Sequence, residues 1–217
     1  MDNFTGHINS GQPRADRDRL ESPLEEQFIQ SLEKYLNPRS EIIPQFELET
    51  ILGRFRLDFV IELDGYRIGF ECDGKAYHDA FRDEWRDALI LHTKQIDTIY
   101  RFRGKDIFSF LDDCIYVIYK HDPFIFNDRY QHHCDVLATA STINYFITDE
   151  ANFRNHEDTF IGIELFDDNG KKRGEMELQT IRRSQNSDGH WKDLINITLA
   201  NPGLSLDELI ASRKVNF

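Results

Sequence analysis

The segment from Arg54 to Asp73 constrains this chain most, because its pattern allows it to pair with itself in one register. Arg54-Phe-Arg-Leu-Asp-Phe-Val-Ile-Glu-Leu63 and Tyr66-Arg-Ile-Gly-Phe-Glu-Cys-Asp73 both alternate, and Asp64-Gly65 between them favours a tight type I′ turn. A two-residue turn sets Leu63 against Tyr66, Phe59 against Phe70 and Leu57 against Cys72 on one face. On the other face it sets Asp58 against Glu71 and Arg56 against Asp73. A slip of one residue would send the apolar residues of the two strands to opposite faces, so the hydrophobic pattern supports the turn independently. Val60 and Gly69 interrupt the polar face, as they would if something packed there.

Like charges directly opposite each other destabilise a sheet. Asp58 and Glu71 therefore call for a positive partner, and a divalent cation with oxygen ligands is the economical one; the alternative is a polar face that is merely solvated. Asp73 adds a third carboxylate on the face of Glu71. Three such oxygens, with waters and a substrate phosphate, suit octahedral Mg²⁺, with Mn²⁺ as a substitute. An ion of this kind lowers the pKa of a bound water and stabilises charge on a phosphoryl group. Lys75 and His78 follow on the next turn. Lys75 could neutralise charge developing on the phosphate and His78 could carry a proton, its ordinary pKa being about 6.5. Each reads equally well as a plain loop residue.

The flanking segments frame this hairpin. Residues 1–20 have no apolar period and read as a flexible leader. Ser22 as N-cap, Pro23 at the first helical position and Glu25 three after the cap start a helix expected to run to about Leu36. Leu24, Phe28, Ile29, Leu32, Tyr35 and Leu36 fill one arc of it, of about 120°, and Glu25 falls near the middle. Glu25 is thus either a capping-box residue or a carboxylate aimed at the sheet, where it would add a ligand or orient the site. Ile42 to Thr50 is an expected strand, at an edge because of Pro44. After Asp73 the period changes: Phe81, Trp85, Ala88, Leu89 and His92 mark a helix from about His78 to Lys94. Thr98–Arg103 is a short strand and Asp106 to about Tyr119 a further helix. The order predicts a mixed sheet with helices on both faces, an α/β (mixed α+β) fold.

Residues 21–121 therefore read as one domain and 122–217 as an additional C-terminal α+β segment without a motif that translates into chemistry. Asp128 to about Phe146 is expected to be helical, Thr159–Phe166 and Gly174–Ile181 to form a second hairpin, and Leu194–Leu199 to be a strand. Ser205-Leu-Asp-Glu208 is a capping box opening a last helix. The His132-His133-Cys134 cluster reads as packing or surface before it reads as a zinc site.

The net charge of −13 over 217 residues argues against a general nucleic-acid coat, whose binding rests on Lys and Arg. Residues 51 to 105 carry about as many basic as acidic residues, so a narrow nucleic-acid site is compatible with it. Arg56, Arg86, Arg101 and Arg103 are the candidate phosphate contacts, with ion pairing to Asp79, Asp83 or Asp87 as the plainer reading of Arg82. The acidic C-terminal half could instead meet a protein partner. The three cysteines, Cys72, Cys114 and Cys134, have no motif spacing and fit reduced thiols. No apolar run nears the roughly 20 residues of a membrane span, and the start lacks a signal-peptide pattern, so no membrane partner and a cytoplasmic location are expected.

Ser22-Pro-Leu-Glu25, Arg56-Leu-Asp58-Phe, Glu71-Cys-Asp73-Gly74 with His78, Asp83-x-x-Arg86-Asp87 and Tyr100-Arg101-Phe102, taken in order, resemble the restriction-endonuclease-like PD-(D/E)XK superfamily. The branch most similar is that of very-short-patch-repair endonucleases. The resemblance covers about residues 21 to 120 and rests on order and spacing together. It implies an αβββαβ core and a Mg²⁺-dependent phosphodiesterase acting on DNA, with Asp58 and Glu71 as metal ligands and Glu25 as a supporting acid. The superfamily's usual Glu-x-Lys would put a lysine at position 73, where this chain has Asp73. The lysine's role then passes to Lys75, to His78 or to nothing, and in the last case the domain binds without cutting.

Overall fold

Asp64 and Gly65 both adopt positive φ, 52° and 86°, as a type I′ turn requires, and they close the expected hairpin. The computed structural model that shows this describes residues 11–73, 80–148, 158–167, 169–184 and 190–214. Strand β2 (Gly53–Leu63) pairs antiparallel with β3 (Tyr66–Asp73) in the predicted register, Leu63 against Tyr66 and Phe59 against Phe70. Strand β1 (Glu41–Thr50) pairs with β2 alone and so forms an edge, which accommodates Pro44.

Helix α1 (Pro23–Leu32) precedes β1, and helix α2 (Ala80–His92) carries the chain from β3 to β4 (Thr98–Arg103), which lies parallel to β3. The start of α1 follows the sequence: Ser22 Oγ accepts the Glu25 amide at 3.2 Å, with Pro23 in the first turn. It ends at Leu32, earlier than expected. The Tyr35 amide bonds the Leu32 carbonyl in a tighter turn, and Leu36 leaves to bridge Phe126.

Across one sheet face, Phe28 of α1 sets its ring edge-on against Phe59, Phe70 and Phe102 at 5.8, 6.1 and 5.2 Å. These rings, with Tyr100, are wholly buried and fix α1 across β2, β3 and β4. Helices α3 (Gly104–Ser109) and α4 (Leu111–His121) belong to the same core. They replace the single helix expected from Asp106, because Phe110, at φ −140° and ψ 41°, ends the first and begins the second. On the other face α2 packs with α7 (His190–Ala200) and α8 (Leu206–Lys214), burying Trp85, Leu89, Leu194 and Leu209.

The chain beyond residue 121 adds strands to the same sheet. Its hairpin, β5 (Asp158–Phe166) and β6 (Lys172–Arg182), extends the same sheet through β6 on β4, giving the order β1-β2-β3-β4-β6-β5. Arg182 of β6 donates to both oxygens of buried Asp122 at 2.8 and 2.9 Å and to Tyr100 Oη at 3.0 Å. Tyr100 Oη donates to Asp122 at 2.6 Å. This network ties β4, β6 and the end of α4 together.

Two expectations for the C-terminal half are corrected. Asp128–Phe146 is not one helix: a 3₁₀ turn at Asp128–Tyr130, α5 (Gln131–Cys134) and α6 (Ala140–Thr148) replace it. Leu194–Leu199 is helical, within α7, and its buried Leu194, Ile195 and Thr198 recur at helical spacing. The Ser205 box forms, with Glu208 accepting from both the amide and the hydroxyl of Ser205 at 2.8 Å. Cys134 is buried and His133 stacks on Tyr35 at 5.9 Å, so that cluster packs. None of the three cysteines is in a disulfide. Among the described residues no helix is long and apolar enough to cross a membrane.

Candidate metal centre

The β2–β3 pairing stops at Phe59–Phe70, one position short of Asp58 and Glu71. Asp58 instead turns its Oδ2 to the Cys72 amide, which donates at 2.6 Å. The alternation of β2 breaks at this point. Leu57, expected beside Phe59, packs in the opposite cluster with Val60 and Ile99. A Cβ placed on Gly69 would come within 2.6 Å of Leu57 Cδ1, so the bare backbone of Gly69 is what admits this leucine. Across in β1, Gln45 is left-handed at φ 52° and lies between the Pro44–Phe59 and Phe46–Leu57 pairs, level with Asp58. Both strands are thus irregular where the candidate site lies.

Glu71 faces α2 and is 5% exposed. Burial pushes its carboxyl up to about 8; Arg86 pulls against this, Asp58 pushes it further, Arg101 again opposes and Asp87 adds to it. Arg86 Nη2 stands 2.5 Å from Glu71 Oε1. The same nitrogen donates to the Arg56 carbonyl at 2.5 Å, and Glu71 Oε1, though ion-paired, is buried without a hydrogen bond.

Beside this pair lies a second buried one. Arg101 of β4 donates to Asp87 of α2 at 2.5 Å and stands 3.9 Å from Asp83. Burial raises the Asp87 carboxyl and Arg101, then Arg86, draws it back. Asp83, Arg86 and Asp87 share one face of α2 at spacings of three and four, which brings them over Glu71 and Arg101 together.

Glu25 reaches back to the start of its own helix and is also tied to the sheet. Its Oε1 accepts from the Ser22 hydroxyl at 2.8 Å and its Oε2 from the Glu21 amide at 3.2 Å. Gln45 Nε2 also donates to Oε2 at 2.8 Å, which links the buried carboxylate of α1 to the strand position level with Asp58. Gln45, which the sequence did not single out, leaves its Oε1 buried without a donor. Its only local signal was Pro44, and a left-handed glutamine leaves none of its own.

The candidate phosphate contacts each have a carboxylate within the chain. Arg56 pairs with Glu21 at 2.6 Å, Arg86 with Glu71, Arg101 with Asp87, and Arg103 with Asp106 at 2.6 Å and with Glu177. Arg82 is ion-paired, but with Asp207 of α8, a carboxylate its plainer reading did not name. Strand β3 reaches Asp73, whose side chain lies outside the described residues together with Lys75 and His78. Among the described residues no three His, Cys, Asp or Glu side chains cluster as a metal site. Of the carboxylates that act on Glu71, Asp58 outweighs Asp87, and the Asp58–Glu71 pair fits a cation: Glu71 is buried, its Oε1 has no hydrogen bond, and Asp58 raises the cost of its charge.

Comparison with protein-family models, with curated proteins and with solved structures gives no match.

Proposed function

We propose that this chain is a metal-dependent endonuclease or nickase hydrolysing DNA phosphodiester bonds. The observation that carries the reading is Glu71: a buried carboxyl raised to about 8 beside a second carboxylate, Asp58, with an oxygen that lacks a hydrogen bond. Such a group is costly to fold unless it has a task. The order α1-β1-β2-β3-α2-β4, with β4 parallel to β3, supports it as well, being similar to the αβββαβ core that the sequence resemblance implies.

Asp58 and Glu71 would hold Mg²⁺ or Mn²⁺, with Asp73 as the third ligand. A bound ion would supply a water of lowered pKa and offset charge on the phosphoryl group. The chain's own residues then have distinct tasks. The Cys72 amide fixes the Asp58 carboxylate by its hydrogen bond to Oδ2. Glu25 and Gln45 hold the strand irregularity level with Asp58. Arg101 anchors Asp87 and with Arg86 lowers the cost of ionising Glu71. The test is nicking of supercoiled plasmid DNA in Mg²⁺: Asp58→Ala is expected to lose at least ~100-fold in rate, the upper end of what a disturbed metal shell costs. Equal rates for wild type and variant would sink the proposal.

A second reading is favoured by Arg86, whose guanidinium already sits against Glu71. It is a nuclease-like module without catalysis, binding nucleic acid or a protein partner, or cutting only within a larger complex. Calorimetry separates the two, since the module binds neither Mg²⁺ nor Mn²⁺.

A further inference from the structure

Gln45 and Asp58 face each other where β1 and β2 both break their alternation. The register is the same on either side of them, Pro44 against Phe59 and Phe46 against Leu57. A regular strand puts residues three apart on opposite faces, yet Ile43 and Phe46 of β1 both pack on the cluster of Leu57 and Val60 of β2. Each strand thus carries one extra residue, and the left-handed backbone of Gln45 is where β1 accommodates it. The break turns the Gln45 side chain to α1, where it is 8% exposed and its Nε2 donates to Glu25 Oε2 at 2.8 Å. A left-handed glutamine within a strand is strained; such strain persists only where the surroundings hold it, and it collects at functional sites. Here Arg19 Nη2 holds the Gln45 carbonyl at 3.4 Å and Glu25 holds the side chain.

The same amide leaves its other end unmet. Turning it over would set Oε1 against the Glu25 carboxylate, so Nε2 must face Glu25 and Oε1 must face away. That Oε1 is buried and finds no donor among the described residues. Leaving a buried acceptor unmet costs stability, which a partner from outside the chain would recover. An amide oxygen only accepts, so this partner carries an O–H or N–H, and a phosphate oxygen does not qualify. We propose that Gln45 is a positioning residue of the candidate metal centre, its Oε1 accepting a hydrogen bond from a water of the cation at Asp58. This role rests on the metal-dependent reading of Asp58 and Glu71, and it gives the two ends of one amide different tasks. Nε2 secures the strand break through Glu25, and Oε1 orients the water.

The experiment is calorimetric titration of Mn²⁺ at pH 8 into wild type, Gln45→Met, Gln45→Asn and Gln45→Glu, with urea unfolding of each in EDTA. Gln45→Met keeps the length and removes the amide. Gln45→Asn suits the left-handed backbone but is one methylene too short to reach. Gln45→Glu keeps an acceptor at the same reach and loses the N–H that faces Glu25. The expected result is that Gln45→Met and Gln45→Asn each weaken Mn²⁺ binding about tenfold, the lower end of what a lost partner of a metal shell costs. Gln45→Glu is expected to keep wild-type affinity or better, while its metal-free form unfolds at lower urea than wild type. A purely structural role through Nε2 predicts the reverse ranking, with Gln45→Glu the weakest binder of the three. Gln45→Glu weakened as much as Gln45→Met, or wild-type affinity in folded Gln45→Met or Gln45→Asn, would overturn the proposal. Absence of Mn²⁺ binding in the wild type is a different failure, that of the metal-dependent reading, and the role of Gln45 falls with it.

Discussion

Arg86 Nη2 stands 2.5 Å from Glu71 Oε1, and of the two side chains Glu71 is the more deeply buried, 6% exposed against 20%. The difference decides what each truncation costs. Above about pH 8, where Glu71 is ionised, removing Arg86 leaves a buried carboxylate uncompensated, whereas removing the Glu71 charge leaves a guanidinium that reaches water and retains the Arg56 carbonyl. In urea unfolding at about pH 9, Arg86→Met is expected to lose about 2–4 kcal/mol and Glu71→Gln about 1 kcal/mol or less. Equal losses would show that the pair is not organised around Glu71.

The raised pKa of Glu71 fixes a pH dependence. The folded state holds this proton up to about pH 8, while an unfolded glutamic acid releases it near 4.5. Between those values the folded state binds more protons, so stability falls as pH rises, by at most about 1.4 kcal/mol per unit. Metal-free wild type is expected to be less stable at pH 8 than at pH 5.5 relative to Glu71→Gln, read as the difference between their urea midpoints.

His121 gives the opposite slope. Its ring lies against Tyr100 and Phe146, and Arg182 Nη2, which can only donate, approaches Nδ1 at 3.3 Å. Burial, then the charge of Arg182, pushes its pKa down to about 2. A histidine depressed in this way stabilises the fold above its unfolded value of about 6.5 and loses that contribution as pH falls toward 2. His121→Gln is expected to unfold less steeply than wild type between pH 6 and 4, measured by circular dichroism.

Gly69 and Leu57 test the break in β2. A Cβ at Gly69 meets Leu57 Cδ1 at 2.6 Å, and Leu57 is fully buried with little room to yield. Gly69→Ala should therefore cost about 1–3 kcal/mol. Leu57→Val added to it should recover part of that loss, giving a favourable coupling energy in a double-mutant cycle.

The sequence made some of this legible and hid the rest for physical reasons. The Asp64-Gly65 turn and the alternation around it specify their own register, and Phe59–Phe70 pairs as read. That register could not show where the ladder stops, because Gln45 and Leu57 are placed by packing between strands and carry no local signal. The arginines were readable as basic positions near the site. Their partners, Glu71 for Arg86 and Asp87 for Arg101, depend on how α2 lies across the sheet. In α7 the run Leu194-Ile-Asn-Ile-Thr-Leu199 is rich in β-branched residues, and burial against α2 overrides that preference.

Whether Asp58 and Glu71 hold a divalent cation is decided most directly by titrating the protein with Mn²⁺ in a calorimeter. One ion is expected to bind per chain, more tightly at pH 8 than at pH 6 because Glu71 must give up its proton, and to be lost in Glu71→Gln. No binding by the wild type, or the same binding in Glu71→Gln, would contradict it.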